Sequence, residues 1–492
     1  MTKVLLPIFL LFKLLTIQEL NYVGGLIIMS IEATAGFWEV QPEGVRPPKD
    51  FEIGTIQGVR VLNPADFHLT GDLTPAQIVA CDVYNPNIAY LEATKPGRYS
   101  EIRRQERLMD LASRLNFRNW RHQRQVAYAQ DPEAEIEQLS AEDSIASGDS
   151  DSRKRFFSPT GTFRDESMCL WRDMIPQASA LTPLVNPFNT DKLIAKDGKV
   201  VETTAATQEW WTACTDGQEI FHRSAVMIEE IGSYLGKYAA MHPDQKLTVV
   251  SVAGGTALST MQAIQRSGVN PEKIRLLLLE GNEESAKMAF GLAEKIDFTG
   301  EIVHKAIDVF SPTEMAQVKA DLDAENAKVV ALDAVGIAEY SSNKLRTSSR
   351  EKWFGKDSML FDPEKFVESC LRLVSDDGMA VIGQMRADRL NPYFTRGVIG
   401  WPHISMRSVR RFARILQGGG ADMRLTKLSL TPRDTYSMAT IYRSEQGTRL
   451  AGLHNEDARA LFQQSEVATS AVLRAVQAAG CVGNVANRQT VE

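Results

Sequence analysis

From Leu247 onward the chain repeats one pattern: a short apolar run, a turn, an amphipathic stretch and another apolar run. LTVVSV (247–252), IRLLLLE (274–280), EIVHKA (301–306), KVVALDA (328–334) and GMAVIGQM (378–385) are near-continuous hydrophobic segments of strand length. Between them, residues 258–268, 282–296, about 311–324 and 361–374 read as helices. A strand that is apolar all round must be covered on both sides, so this alternation predicts a parallel sheet with helices on both faces. After a further helix over about 405–417, the runs MRLTKLSL (423–430) and TYSMATIYR (435–443) flank TPRD and predict an antiparallel pair. Ordinary dinucleotide-binding sheets stay parallel, so this ending narrows the choice. The expected fold class is α/β: a seven-stranded Rossmann-like sheet, parallel with an antiparallel terminal hairpin, plus an N-terminal α+β region.

The earlier chain reads differently. Residues 30–100 are rich in Pro, Gly and Asn, with short β runs such as GVRVL (58–62). Residues 100–128 look helical and carry seven arginines from Arg103 to Arg124, which suggests a solvated amphipathic helix. The segment 131–151 holds eight acidic residues and few apolar groups, too few to offset the entropy of ordering, and predicts a flexible linker. NPFNTDKLIAKDGKV reads as a turn and a short hairpin, and residues 209–238 as one helix buried through Trp210, Trp211, Ile220 and Leu235. The expected organisation is a mis-assigned start or hydrophobic leader over 1–29, an accessory region over 30–205, the α/β domain over 206–445 and a helical tail over 446–492. VLLPIFLLF near the start is too short to span a bilayer, which needs about 20 apolar residues.

Composition sets outer limits. With 43% hydrophobic and 24% charged residues, a chain of 492 residues can bury a large core without metal or disulfide staples. A net charge of −7 argues against coating nucleic acid. The five cysteines are scattered and form no CxxC pair, so no metal is expected and a reducing cytoplasm is the simplest setting.

The polar residues at the strand ends are more specific. The first strand runs into SVAGGTALST (251–260), a glycine-rich turn before a helix, which lets backbone approach a ligand and aims helix N–H groups at it. The second ends in Glu280, placed to accept hydrogen bonds from two ribose hydroxyls. Asp308 follows the third strand, and Asp333 ends the fourth. All lie at the carboxyl edge, where open α/β sheets bind ligands.

VVSVAGGTALS, LLLLEGNEES, HKAIDVFSP, VVALDAVGIAEY, DDGMAVIGQ and the closing hairpin resemble the successive motifs of class I S-adenosylmethionine-dependent methyltransferases. The likeness covers about residues 215–445. The resemblance implies S-adenosyl-L-methionine as cofactor. It places Ala253, Gly254 and Gly255 around the methionine part, Glu280 on the ribose and Asp308 on the adenine amino group. Asp333 and Ala334 would lie beside the sulfonium and the acceptor, with Ser251, Thr256 and Asn282 completing the cofactor set. The sequence departs from the family pattern at Ser251, where an acid is usual, and at Ala253 and Ala257, where glycine is usual. Alanine at positive φ costs about 1 kcal/mol.

An acceptor that starts protonated needs a base. Asp333, Glu339, Tyr340 and His403 are the candidates, and Trp401 is a candidate pocket wall. Arg386, Arg389, Arg396 and the arginines of 407–414 form a basic cluster, read by default as solvated charge. The expected activity is methyl transfer to a small-molecule acceptor in the cytoplasm, with room for a homo-oligomer. The alternatives are aminocarboxypropyl transfer of the nicotianamine-synthase kind and a non-catalytic binding protein with the same fold.

Overall fold

In the computed structural model, the described residues are 199–341, 362–386, 404–431 and 435–451, with shorter stretches at 52–56, 59–62, 87–88, 91, 94–116, 136–137, 165–174, 182–185, 187, 190–194, 389, 391 and 394–399. Residues 1–29, most of the acidic segment 131–151, the tail beyond Ala451, and Trp401 and His403 lie outside them.

The described residues of the earlier chain include three helices, α1 (Arg98–Asn116), α2 (Glu166–Met174) and α3 (Ala205–Ala213). The long α4 (Thr215–Met241) follows. The single helix expected over 209–238 is therefore two. Cys214 breaks it with an extended backbone, and its Sγ then accepts the Gly217 N–H as the cap of α4. The helical pattern spans the break because Trp210 and Trp211 belong to the same buried cluster as Ile220 and Leu235.

The α/β body then runs β1 (Leu247–Val252), α5 (Leu258–Arg266), β2 (Ile274–Leu279), α6 (Glu283–Lys295), β3 (Glu301–Lys305), α7 (Pro312–Ala324), β4 (Val329–Ala334), α8 (Pro363–Leu373), β5 (Met379–Met385), α9 (Val409–Gly418), β6 (Thr426–Leu430) and β7 (Tyr436–Tyr442). The sheet order is β6–β7–β5–β4–β1–β2–β3. Pairs among β1 to β5 are parallel, and β7 runs antiparallel to both β5 and β6. Two expected boundaries shift. The helix expected from about 405 begins at Val409, because Ser405 and Met406 are paired as a short strand and Ser408 caps the helix. Residues 423–425 form a 3-10 turn rather than the start of β6, because Asp422 caps them by accepting the Arg424 N–H.

Alternate strand residues feed two cores, as a pleated sheet requires. Val249, Leu276, Leu278, Val381 and Met438 face one, which α4, α5 and α6 cover. Val250, Val252, Leu277, Leu279, Ile382 and Ile441 face the other, closed by α7, α8 and α9. Helix α9 shows why: Val409, Phe412, Ala413, Ile415 and Leu416 form its apolar stripe, and Ser408 caps it by accepting the Arg411 N–H.

Described residues of the earlier chain join the first of these cores. Leu91, Ile102, Met109, Met168 and Trp171 all belong to it. Within the acidic segment, Ile136 and Glu137 pair antiparallel with Met406 and Ser405, so this part of the expected linker is tied to the loop before α9. Glu52–Ile56 pairs with Val59–Leu62, and Lys192–Ile194 with Val200–Glu202, the latter being the expected hairpin. Among the described residues, no helix is long and apolar enough to cross a membrane.

Candidate functional site

Strand order reverses between β1 and β4: from β1 the chain turns one way to β2 and β3, and from β4 the other way to β5. A crevice opens at the carboxyl edge at such a switch point. The glycine-rich turn leaves β1 there. Ala253 and Ala257 both adopt φ of +48°, and Gly255 lies between them at +61°. Two alanines thus hold left-handed backbone where glycine would be unstrained. Ala253 is the better place to test this, since it is only partly buried whereas Ala257 is in the core. Ala253→Gly removes roughly 1–2 kcal/mol of backbone strain and adds roughly 0.4–1 kcal/mol of unfolded-state entropy. A net gain of between about 0 and about 1.6 kcal/mol is expected from chemical denaturation.

Gly254 lies directly over the fully buried Ser251. A Cβ on Gly254 would meet Ser251 Oγ well inside contact distance and sit 3.6 Å from Asp333 Oδ1. Serine at 251 therefore forms the floor of the turn. The Asp333 carboxylate completes that floor, accepting from the Thr260 hydroxyl at 2.7 Å. Burial pushes Asp333 up to about 6, against hydrogen bonds and the nearby Arg223 charge that hold it down.

The folded protein thus keeps the Asp333 proton to higher pH than the unfolded chain, whose aspartates titrate near ~3.9. The native state binds more protons across that interval, so this contribution to stability is complete below it and is lost as pH rises from about 4 to about 6. Asp333→Asn keeps the Thr260 bond without the charge. Measured by denaturation at both pH values, the variant is expected to gain on the parent by on the order of 2–3 kcal/mol between pH 4 and pH 7.

Glu280 stands at the tip of β2, 8% exposed. Its Oε2 accepts the Gly255 N–H at 3.1 Å and its Oε1 accepts the Asn282 N–H at 2.9 Å. One carboxylate so pins the turn after β1 to the loop after β2. Burial raises its pKa, and the two N–H donors oppose that shift. Each oxygen retains acceptor capacity beyond these bonds. The Glu280 carbonyl is bonded in turn to the His304 ring at 2.7 Å.

The other candidates fall into distinct places. Asn282 is exposed, and its side chain caps α6 by accepting the Ser285 N–H. Asp308, half-buried, accepts the Phe310 N–H at 3.0 Å, while Ser311 is the cap of α7. Thr256 is buried in the turn, and Ala334 is fully buried in the core. Glu339 and Tyr340 form a 3-10 turn after β4, with Glu339 buried and Tyr340 packed on both cores. The structure thus gathers Ser251, Asp333 and the 253–257 turn together with Glu280. Among the described residues, no group of three His, Cys, Asp or Glu side chains could hold a metal.

The basic cluster needs correction. Arg386, Arg389 and Arg407 are buried, not solvated. Arg389 pairs with Asp216 at 2.8 Å, and Arg407 donates to Gln384 Oε1 at 2.6 Å, to the Ala338 carbonyl at 3.0 Å and to the Ser341 carbonyl. Arg103, expected on a solvated face, is buried too and pairs with Glu106. These charges tie loops to helices.

Sequence reasoning also missed a polar stripe on α4. Asp216, Glu219, His222 and Arg223 are all buried. Glu219 accepts from the Thr431 hydroxyl and from the Thr435 N–H at 3.2 Å, and these bonds and His222 hold its pKa down despite burial. The signal was the spacing i, i+3, i+7 of Asp216, Glu219 and Arg223, which puts three charges on the same side of a helix whose apolar residues already fix its packing.

No family model and no curated protein matches the chain. Solved structures do. An O-methyltransferase family protein from Burkholderia thailandensis matches at 16% identity and TM-score 0.30, over 48% of this chain and 63% of that one. The citrinin polyketide synthase CMeT domain matches at 12% identity and TM-score 0.32, over 60% and 69%. The cyclase SpnF matches at 10% identity and TM-score 0.27, over 43% and 80%. The chain spans 63% of the first of these proteins. What decides the architecture is the sheet itself, five parallel strands continued by an antiparallel β7 inserted between β5 and β6. The chain has a class I methyltransferase-like fold.

Proposed function

We propose that the protein is a cytoplasmic S-adenosylmethionine-dependent methyltransferase acting on a small-molecule acceptor. The observation that carries this reading is Glu280. It sits at the tip of β2 with both oxygens accepting backbone N–H groups and with lone pairs to spare. A carboxylate fixed this way is pre-oriented for a pair of neighbouring hydroxyls, as on a ribose. Asp308 offers an oxygen beyond the one held by Phe310, suited to an adenine amino group. The donor set therefore fits the cofactor. Glu280 would hold the ribose, Asp308 the adenine, and residues 253–256 the methionine part. When bound, the cofactor supplies a methyl group on a sulfonium. The chain's own part is alignment and exclusion of water.

A second reading, ligand binding without turnover, draws on the two strained alanines and on serine at 251. Both readings share the pocket and diverge only in methyl transfer to an acceptor.

The test is calorimetric titration with S-adenosylhomocysteine. Glu280→Ala is expected to weaken binding by about 1–3 kcal/mol, because buried hydroxyls would lose a charged acceptor. Unchanged affinity removes Glu280 from the site, and no binding by the parent protein removes the reading.

A further inference from the structure

Arg223 is 6% exposed and makes no hydrogen bond to any of the described residues, unlike the buried Arg389 and Arg407. Its guanidinium is held by its faces. Cζ lies 4.6 Å from the centroid of the Tyr436 ring, a cation–π contact. Gly336, at φ +92°, packs close by: a Cβ built there would fall 3.0 Å from both Nη1 and Nη2. These contacts fix the plane and use none of the N–H donors.

Across from the donor edge stands Glu339, 3% exposed, with Oε1 3.8 Å from Arg223 Nη1. That gap is too long for a hydrogen bond. Arg223 Nε and Glu339 Oε2 are both buried without a partner. Leaving buried polar atoms unmet is costly, so a pair left open in this way calls for an explanation. The pair also adjoins the candidate site. Glu339 follows Asp333 by one short turn, and the Arg223 charge acts on the Asp333 carboxylate, which lies beneath Gly254.

We propose that Arg223 and Glu339 bind the reactive hydroxyl of an acceptor, an acidic one such as a phenol or enol. This rests on the methyltransferase reading above. An oxygen within hydrogen-bond reach of the Arg223 donor edge and of the Glu339 carboxylate bridges the two groups, and the unmet Nε and Oε2 are the atoms it would meet. It accepts a hydrogen bond from Arg223 and donates its own to Glu339. The step is a proton transfer: the ligand O–H bond breaks, a new O–H bond forms on the Glu339 carboxylate, and the electron pair stays on the ligand oxygen. Arg223 stabilises the resulting oxyanion, as preorganised donors do in a dry site. Burial raises the pKa of Glu339, with Arg223 opposing, which suits it to take a proton.

The probe is para-nitrophenol, whose phenolate absorbs in the visible, titrated into the full chain at a pH where the free phenol is mostly neutral. Saturable binding with a phenolate band is expected. Arg223→Met should lose affinity at least tenfold together with the band, and Arg223→Lys should fall between, since a point charge lacks the planar fork. In the parent protein the bound phenolate fraction should not vary with buffer pH, because the proton stays on Glu339. In Glu339→Gln it should rise with pH, because the proton then leaves to solvent. A merely structural pair would not show that change.

Absence of saturable binding, or equal affinity in Arg223→Met and Arg223→Lys, overturns the proposal; a water held between the two groups would give that result. S-adenosylhomocysteine titration of the same samples separates the two claims. If it binds and the phenol does not, only the acceptor site fails. If the phenol binds and it does not, only the methyltransferase reading fails.

Discussion

Arg389→Met is expected to destabilise the protein by about 3–5 kcal/mol, the range for breaking a buried ion pair from one side. Arg389 Nη1 and Asp216 Oδ1 are 2.8 Å apart, and both side chains are fully inaccessible. The Thr395 hydroxyl also donates to Asp216 Oδ2 at 2.9 Å. Without the arginine, the carboxylate stays buried with a single neutral donor among these partners. Asp216→Leu should cost about as much, since it strands a guanidinium instead. Replacing both together should cost less than either alone, because no uncompensated charge remains. Urea denaturation of the three variants checks this. Single-variant losses under about 1 kcal/mol would mean that the pair is wetter than its burial indicates.

This pair also shows what kind of information a sequence hides. Asp216 and Arg389 are 173 positions apart, and nothing local to either announces the other. A run of arginines at 386–414 therefore reads as surface charge, although Arg386, Arg389 and Arg407 are buried. The strands were legible because burial on both faces imposes a local signature. Each apolar run from 247 to 385 matches its strand to within a residue or so. Glu280 was legible for the same reason, as the first polar residue after a buried strand. Arg223 and Glu339 were not legible as a pair, since α4 and the turn after β4 meet only through tertiary packing. The helix break at Cys214 was hidden because aromatic and aliphatic burial continue across it. Asn282 was expected in the cofactor set from its place just after a strand, and its side chain is instead taken up in capping α6. Position relative to a strand end is thus easier to read than what a side chain does there.

The turn after β1 combines both lessons. Gly254→Ala places a methyl group against Ser251 Oγ and 3.3 Å from Ser251 Cβ, with Asp333 Oδ1 at 3.6 Å. The hydroxyl belongs to a central strand, fully buried and paired with β2 on one side and β4 on the other, so the backbone beneath it is fixed and relief must come from turning the hydroxyl within a packed floor or from lifting the turn. The turn is the less constrained of the two. Overpacking of this kind costs roughly 1–3 kcal/mol, and here the lifted backbone also carries the Gly255 N–H away from Glu280. The expected result is a fall in stability at the upper end of that range. Loss of S-adenosylhomocysteine binding by more than about a hundredfold should accompany it, since about 2.7 kcal/mol of positioning is removed. The second variant gives the reason a sharp form. Ser251→Ala removes the clashing oxygen and leaves only the contacts at 3.3 and 3.6 Å, which are tight but tolerable. In that background Gly254→Ala should cost less by roughly 0.5–3 kcal/mol, the coupling expected of side chains in direct contact. Additive losses would show that the turn fails for a reason other than this contact.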